Sequence, residues 1–123
     1  MIRTWLAAAA SGGFLSVAAG AVAAHLAAGG RSAELLRTGA LYGMVHAAAL
    51  IAVAAMADAR DRPGLALIVS GGSFAIGTLL FSLGLFALAL TGIAPVGWLT
   101  PFGGIGLLTG WVALGLHALH RRR

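Results

Sequence analysis

The chain has 123 residues, of which 60% are hydrophobic and 9% are charged, and its mean hydropathy is +0.99. Soluble domains carry about a quarter charged residues, so this composition excludes a water-soluble enzyme and a disordered segment and predicts an integral membrane protein of one domain. The net charge of +5 comes from arginines that flank the apolar runs, which argues against nucleic-acid binding, and the absence of cysteine excludes disulfides and thiolate metal sites.

Four apolar segments follow one another along the chain, each long enough to supply the roughly 20 residues that cross a bilayer core. Because lipid offers no hydrogen bonds to the backbone, each segment is predicted to be an α-helix. The connections are short, which forces neighbouring helices to be antiparallel. The sequence therefore predicts an all-α integral membrane bundle of four antiparallel transmembrane helices, at about residues 5–28, 35–57, 64–90 and 102–119.

The first segment also has features of a secretory signal peptide, since Arg3 precedes an alanine-rich run with small residues near its end. Its apolar run is longer than the roughly 7–15 residues of a signal-peptide core. We therefore expect a transmembrane helix that is retained. Trp5 near its start and Trp98 before the fourth segment are expected to anchor the bundle at the two membrane interfaces.

The arginines are unevenly divided between the two ends of the predicted bundle. Six lie at the end that holds both termini and the connection between the second and third segments, namely Arg3, Arg60, Arg62 and Arg121–Arg123. Two lie at the opposite end, Arg31 and Arg37. The positive-inside rule then predicts a multi-pass protein of a bacterial inner membrane with its N- and C-termini in the cytoplasm.

Small residues recur every four positions in the predicted helices. In lipid, helices associate by close backbone approach, which such stripes allow. We expect these residues to pack the four helices of one chain together, with association between chains as the alternative for one stripe. The predicted packing positions are Gly12, Ser16 and Gly20 in the first helix, Gly39 and Gly43 in the second, and Gly106 and Gly110 in the fourth.

Few polar side chains interrupt the apolar segments, and four of them form a candidate ligand pocket. Thr38, Tyr42 and His46 share one face of the second helix, since they are spaced four residues apart. His25, near the end of the first helix, is expected near the outer boundary, with His46 about 12 Å deep and Tyr42 between them in depth. We expect these four side chains to converge on one outward-opening pocket between the first two helices.

This polar set has several chemical interpretations. Hydrogen bonds between helices would pin the bundle and give the residues a structural role only. A quinone, a lipid headgroup or a small molecule bound among them is the second interpretation, and axial ligation of a haem or a metal is the third. Two histidines without a carboxylate or a cysteine are a poor donor set for a metal, so we predict no metal site and no cofactor.

Motifs of catalysis are absent from the sequence. It has no phosphate-binding glycine loop followed by lysine, no G-x-S-x-G elbow and no His-Glu-x-x-His. No Asp, Glu, Lys or Arg lies in the middle of a predicted span, which argues against a proton-coupled transporter, since such proteins use a buried carboxylate. We therefore expect a protein that is not an enzyme and has no catalytic residues.

Four stretches of the sequence match the motifs of one family in order. Gly20–Leu26 is similar to a G-A-x-x-A-H-x-L signature, one residue tighter at its end, and Thr38–Ala47 is similar to a T-G-x-x-Y-x-M-x-H-A segment. Leu80–Gly92 resembles an L-F-S…A-L-T-G stretch, and Thr100–Trp111 resembles a T-P-x-G-G…G-W ending. The chain thus resembles the membrane family called domain of unknown function 423, whose eukaryotic relatives include transmembrane protein 256.

The resemblance implies a small multi-spanning inner-membrane protein without an established activity. It identifies His25, Tyr42 and His46 as residues of the family pattern and assigns them no role. We expect an accessory or scaffold subunit or a lipid- or quinone-binding protein, and the alternative is a transporter or channel component with a pocket lined by His and Tyr. The expected partners are bilayer lipids and either a larger membrane complex or further copies of the chain, and not nucleic acid.

Overall fold

The structure is a computed structural model that describes residues 1–25 and 29–120, and every regular element in this part of the chain is a helix. Four helical spans among these residues are long and apolar enough to cross a membrane. The first two spans are α1 (Ile2–His25) and α2 (Gly30–Asp58). The third consists of α3 (Leu65–Thr78), a π segment (Leu79–Leu83) and α4 (Gly84–Thr91), and the fourth consists of the short α5 (Ala94–Gly97) and α6 (Leu99–His120). The predicted all-α class with four membrane-spanning helices is confirmed.

The second and fourth spans are longer than the sequence predicts, and the connections that precede them are shorter. α2 begins at Gly30 instead of residue 35, because Gly29 and Gly30 take positive φ angles of 60° and 79° that let the chain turn sharply into the helix. Gly92, with a φ of 69°, ends α4 at a left-handed residue, and α5 fills part of the predicted connection to the fourth helix. The last three residues predicted for the first helix, 26–28, lie outside the described residues.

The four spans pack as two helical hairpins that meet along α2 and the third span. α1 packs mainly against α2, and α3 packs mainly against α6. α2 also contacts α3, the π segment and α4, whereas the described parts of α1 and α3 touch at few points. In the first hairpin, the Arg37 guanidinium donates a hydrogen bond of 3.2 Å to the carbonyl oxygen of Ala23. This bond satisfies an acceptor in the last turn of α1.

Two apolar clusters of described residues fill the interior of the bundle. The larger cluster surrounds Phe74, whose side chain is fully buried, and includes Leu50, Leu67 and Leu107. The smaller cluster lies toward the end that carries the connection between α1 and α2, and consists of Ala23, Leu36, Ala40 and Phe86. The bundle therefore has two separate regions of close packing along its length.

Trp5 is buried inside the bundle, whereas its place in the sequence predicts an exposed anchor at the membrane interface. Its side chain is 6% exposed, and a Cβ atom at Gly71 would stand 2.5 Å from its indole ring. Because Gly71 has no side chain, the Trp5 ring packs directly against the backbone of α3. The predicted anchor is therefore a core residue, and the first segment packs as part of the bundle. Trp98 is 73% exposed, as an interfacial anchor would be.

The glycines predicted for helix packing lie where neighbouring helices approach. A Cβ atom at Gly39 would stand 2.6 Å from the Phe86 ring of α4, and one at Gly106 would stand 3.1 Å from Cα of Gly77 in α3. Such contacts leave no room for a side chain, so the helix backbones come close together. The positions in α1 are less crowded, with the nearest described atoms 4.0 Å and 3.6 Å away, at Gly12 and Gly20 respectively.

Replacing Gly110 by leucine is expected to destabilise the protein. A Cβ atom at this position would lie 2.5 Å from Cδ1 of Phe74, and Phe74 is fully buried, so its ring cannot move aside without disturbing the core. Overpacking of this kind costs about 1–3 kcal/mol. Thermal unfolding of the Gly110→Leu variant in detergent, followed by circular dichroism, should show a lower midpoint than that of the wild type.

Gly115→Leu is the matched control for this prediction. Gly115 lies in the same helix, and a Cβ atom there would meet no described atom within 4 Å apart from its own helix backbone. The substitution should leave the midpoint unchanged or raise it, because leucine is a better helix former than glycine. Equal midpoints for the two variants would show that α3 and α6 do not approach closely at Gly110.

Candidate functional site

His46 is buried where α2 faces α6, and both of its ring nitrogens have partners. The indole N–H of Trp111 donates a hydrogen bond of 3.0 Å to Nε2 of His46. Nδ1 of His46 donates a hydrogen bond of 2.7 Å to the backbone carbonyl oxygen of Tyr42. Because an indole only donates and a carbonyl only accepts, the imidazole is neutral, with its proton on Nδ1. His46 therefore joins α2 to α6 and offers no free nitrogen to a ligand.

Aromatic rings surround this imidazole on several sides. The ring centroids of Phe74 and Trp111 lie 5.6 Å and 5.9 Å from that of His46, and these two rings meet edge to face at 5.1 Å. The Tyr42 ring is parallel to the His46 ring at 6.1 Å and packs against Phe81 at 4.8 Å. These contacts fix the orientation of the imidazole and connect three of the four spans.

A cavity of about 210 Å³ lies beside His46, between α1, α2 and the third span. It separates the two apolar clusters, since Leu50 of the larger one and Phe86 of the smaller one both line it. Two larger cavities, of about 350 and 440 Å³, also lie among the described residues, but this one is the most enclosed of the three, so it is the candidate functional site. Its wall is mostly apolar, and apart from His46 its polar lining residues all carry hydroxyl groups: Ser11, Ser16, Thr78 and Ser82.

The predicted pocket of four polar residues is not formed, because only His46 lines this cavity. Tyr42 is 44% exposed on the outer side of α2, and Thr38 is half-buried one turn away. His25 is exposed at the end of α1 and makes no hydrogen bond to any residue that the structure describes. The difference is one of depth. Since α2 begins at Gly30, His46 lies about 24 Å along that helix and past its midpoint, far from the end at which His25 lies.

Three hydroxyl groups in the cavity wall have no hydrogen-bond partner among the described residues: those of Ser16, Thr78 and Ser82. Ser16 and Ser82 are only 1% and 2% exposed. In contrast, Thr91 and Thr109 donate to the carbonyl four residues earlier in their own helices, at 2.6 Å and 2.9 Å. Ser70 and Thr100 carry buried hydroxyls that are likewise unpaired among the described residues and do not line the cavity, so a missing partner does not by itself mark the cavity wall as polar.

Gly43 brings two of these hydroxyl groups together. A Cβ atom at Gly43 would overlap Oγ of Ser16 and would stand 3.2 Å from Oγ of Ser82. The absence of a side chain lets α1 and the π segment approach α2 at the same point, and the two hydroxyls face one recess in α2. Ser82 belongs to the π segment, and π turns within α-helices occur frequently at functional sites.

The cavity opens sideways, between α1 and the third span. Its exposed lining residues lie on this side, with Ala8, Ser11 and Leu15 in α1 and Leu79 in the π segment. All of them lie well inside helices that are long enough to cross a membrane. The mouth of the cavity therefore faces the hydrocarbon core of the bilayer and not an aqueous surface.

Sequence reasoning identifies Ser16 as a packing residue and misses Thr78 and Ser82. A hydroxyl in an apolar helix usually bonds to its own backbone, so it carries little signal, and nothing in the sequence marks the π segment. The available signal is spacing, because Ser82 follows Thr78 by four residues on one face of the span. Within residues 1–25 and 29–120, no group of three His, Cys, Asp or Glu side chains is placed to hold a metal ion.

The hydrogen bond between Trp111 and His46 is expected to stabilise the bundle. Trp111→Phe removes the donor and His46→Ala removes the acceptor, so each should lower the midpoint of thermal unfolding in detergent. Because both substitutions remove the same bond, the double variant should lose less stability than the two single variants lose together. The difference, the coupling energy, should be about 0.6–2 kcal/mol.

Trp98→Phe serves as the control for this comparison of single and double variants. Trp98 is 73% exposed, and its indole makes no hydrogen bond to the part of the chain that the structure describes. The control should leave the midpoint close to that of the wild type. Strictly additive losses for His46→Ala and Trp111→Phe would contradict a bond between these two side chains.

The chain is similar over nearly its whole length to membrane proteins of several bacteria. It is 41% identical over 117 residues to the UPF0382 membrane protein of Haemophilus influenzae, covering 93% of this chain and 92% of that protein. It is 32% identical over 124 residues to the UPF0382 inner membrane protein YgdD of Escherichia coli K12, covering 98% of this chain and 93% of that protein. It is 33% identical over 103 residues to the UPF0382 membrane protein YwdK of Bacillus subtilis, covering 81% of this chain and 83% of that protein.

A family profile identifies the same relationship. The profile described as "Protein of unknown function (DUF423)" matches residues 19–104, which include α2, the third span and two of the three cavity hydroxyls. No solved structure is significantly similar to the chain. The family predicted from the sequence motifs is thus confirmed, and the chain belongs to the DUF423 family of membrane proteins.

Proposed function

We propose that this inner-membrane protein is not an enzyme and that it binds a neutral lipid or a quinone in the cavity between α1, α2 and the third span. The proposal is carried by the cavity itself, a mostly apolar space of about 210 Å³ whose exposed lining residues lie well inside membrane-spanning helices.

The cavity wall favours an uncharged ligand. Among the described residues, no Asp, Glu, Lys or Arg side chain lines it. Its ionisable lining residue, His46, already uses both ring nitrogens in hydrogen bonds. An ionised headgroup would lose its hydration here without gaining a counter-charge, which costs far more than contacts with an apolar wall return. Neutral membrane molecules are therefore better candidates than phospholipids or ionised fatty acids.

Ligand binding is better supported than the alternative of a transporter or channel component. That alternative needs a polar path lined by His25, Tyr42 and His46, and only the last two come together. A mostly apolar cavity with a mouth on the bilayer side supports uptake of a molecule that is dissolved in the membrane. We propose that the protein acts in this way as an accessory or scaffold subunit, in contact with bilayer lipids and with a larger membrane complex or further copies of itself.

Filling the cavity is expected to remove the bound molecule. Gly12 lines the cavity, and a Cβ atom there would meet no described atom closer than the Thr78 methyl group at 4.0 Å, so a leucine side chain can extend into the open space. The Gly12→Leu variant should unfold at an unchanged or higher temperature, because leucine also favours the helix. Organic extraction of the protein purified in mild detergent, followed by mass spectrometry, should show a several-fold loss of neutral lipid or quinone.

Gly115→Leu is again the matched control, since Gly115 is exposed and lies outside the cavity. This variant and the wild type should both carry close to one bound molecule per chain. The same lipid content in the wild type and both variants would contradict the proposed function.

We propose further that both termini face the cytoplasm, on the basis of the six arginines at that end. Ala59 follows α2 and Ala94 begins α5, and both residues are exposed at opposite ends of the bundle. A single cysteine at Ala94 should react with an impermeant thiol reagent added outside intact cells. A single cysteine at Ala59 should react only after the membrane is opened, and labelling of both from outside would disprove this orientation.

A further inference from the structure

Another cavity, of about 440 Å³, lies at the end of the bundle where α1 connects to α2, and we propose that it binds the phosphate group of a phospholipid. This cavity, the Arg31 cleft, is bounded by Arg31 and Ser32 of α2 on one side and by the chain from the end of α4 to Trp98 on the other. Among the described residues it shares no lining residue with the cavity beside His46. The inference therefore goes beyond the proposed function and does not depend on it.

The charge of the Arg31 cleft favours an anionic ligand. Among the described residues that line it, Arg31 is the one charged side chain, and its guanidinium makes no hydrogen bond or ion pair within the described part of the chain. Glu34, one turn along α2, does not line the cleft. By contrast, the guanidinium of Arg37 already donates to the carbonyl oxygen of Ala23. A guanidinium presents its N–H donors in a planar fork that matches the oxygens of a phosphate, so Arg31 is suited to this group.

The depth of the Arg31 cleft matches that of lipid headgroups. α2 has 29 residues and is therefore about 44 Å long. A bilayer is about 40–45 Å thick when its headgroup regions are included, so the first turn of α2, with Arg31, lies among the headgroups. Leu35 lies about 6 Å further along α2, toward the hydrocarbon core. Trp98 lines the same cleft and is 73% exposed, and tryptophan is enriched at the membrane interface.

Polar and apolar groups are separated within the cleft as the two parts of a phospholipid require. Arg31 and Ser32 supply N–H and O–H donors at the level of the headgroups. Leu35 and Leu88 provide a deeper apolar wall, and Gly97 closes it, since a Cβ atom at Gly97 would stand 3.0 Å from Cδ2 of Leu88. The volume lies within the range of about 300–1,000 Å³ that ligand pockets have. Inorganic phosphate would leave the apolar wall uncovered, so a phospholipid fits the cleft better.

Mass spectrometry of the intact, delipidated full chain, released from a non-ionic detergent, tests this proposal. Dioleoylphosphatidylglycerol added at increasing concentration should give one adduct that saturates before further adducts form. Arg31→Gln removes the charged donors, so half-saturation of this first adduct should require at least about tenfold more lipid. Inorganic phosphate at the same concentrations should not displace the adduct. Because Arg31 has no partner among the described residues, the variant should unfold at the same temperature as the wild type in detergent.

Arg62→Gln is the matched control for Arg31→Gln. Arg62 is exposed beyond the other end of α2, has no partner in the part of the chain that the structure describes, and does not line the cleft. Both substitutions remove one positive charge, so the general attraction between a basic protein and an anionic lipid should weaken equally in the two variants. Only Arg31→Gln should raise the lipid concentration that half-saturates the first adduct by tenfold.

Equal half-saturating concentrations for Arg31→Gln and Arg62→Gln, or the absence of a saturable adduct, would overturn the site. Displacement of the lipid by an equal concentration of inorganic phosphate would overturn its assignment to a phospholipid. The proposed function is tested separately by Gly12→Leu, because Gly12 lines the other cavity. That variant should bind dioleoylphosphatidylglycerol as the wild type does, whatever its content of neutral lipid, and a tenfold weaker first adduct would show that the phospholipid does not bind in the Arg31 cleft.

Discussion

Close approach of helices at glycine residues is the constraint on which this bundle depends. Apolar helices in lipid gain nothing from the hydrophobic effect when they associate, so van der Waals packing holds them together. The Phe74 ring packs against the backbone of α6 at Gly110, and at Gly103 an added Cβ atom would overlap the backbone of Phe81. The third span and α6 are therefore in near-backbone contact over several turns, and they form the tighter hairpin of the two.

The cavity follows from the uneven distribution of these contacts. α1 is held against α2 at Gly43, but it meets α3 at few of the described positions. The cavity lies where α1 and α3 diverge. The polar groups on the two sides of this space differ in kind. His46 finds both of its partners within the protein, as a structural residue in lipid must, whereas Ser16 and Ser82 find none among the described residues. His46 therefore holds the bundle together, while the Ser16 and Ser82 hydroxyls lie against Gly43, where α1 and the π segment approach α2.

Much of the fold is predictable because a long apolar run has one stable backbone conformation in lipid, and small residues at a four-residue period mark the contact faces. The site is less predictable because its geometry depends on distant details. The depth of His46 is set by the conformations of Gly29 and Gly30, which start α2 five residues earlier than its apolar pattern indicates. Trp5 has an interfacial position in the sequence, but its ring is buried because Gly71 has no side chain and lets the ring pack against α3.

The central claim is that a neutral membrane molecule occupies the cavity between α1, α2 and the third span. A crystal structure of the wild-type protein grown from phospholipid bicelles is the most direct measurement. We predict density for such a molecule inside the cavity, continuous with a chain that leaves between α1 and the third span. Density for ordered water alone would contradict it.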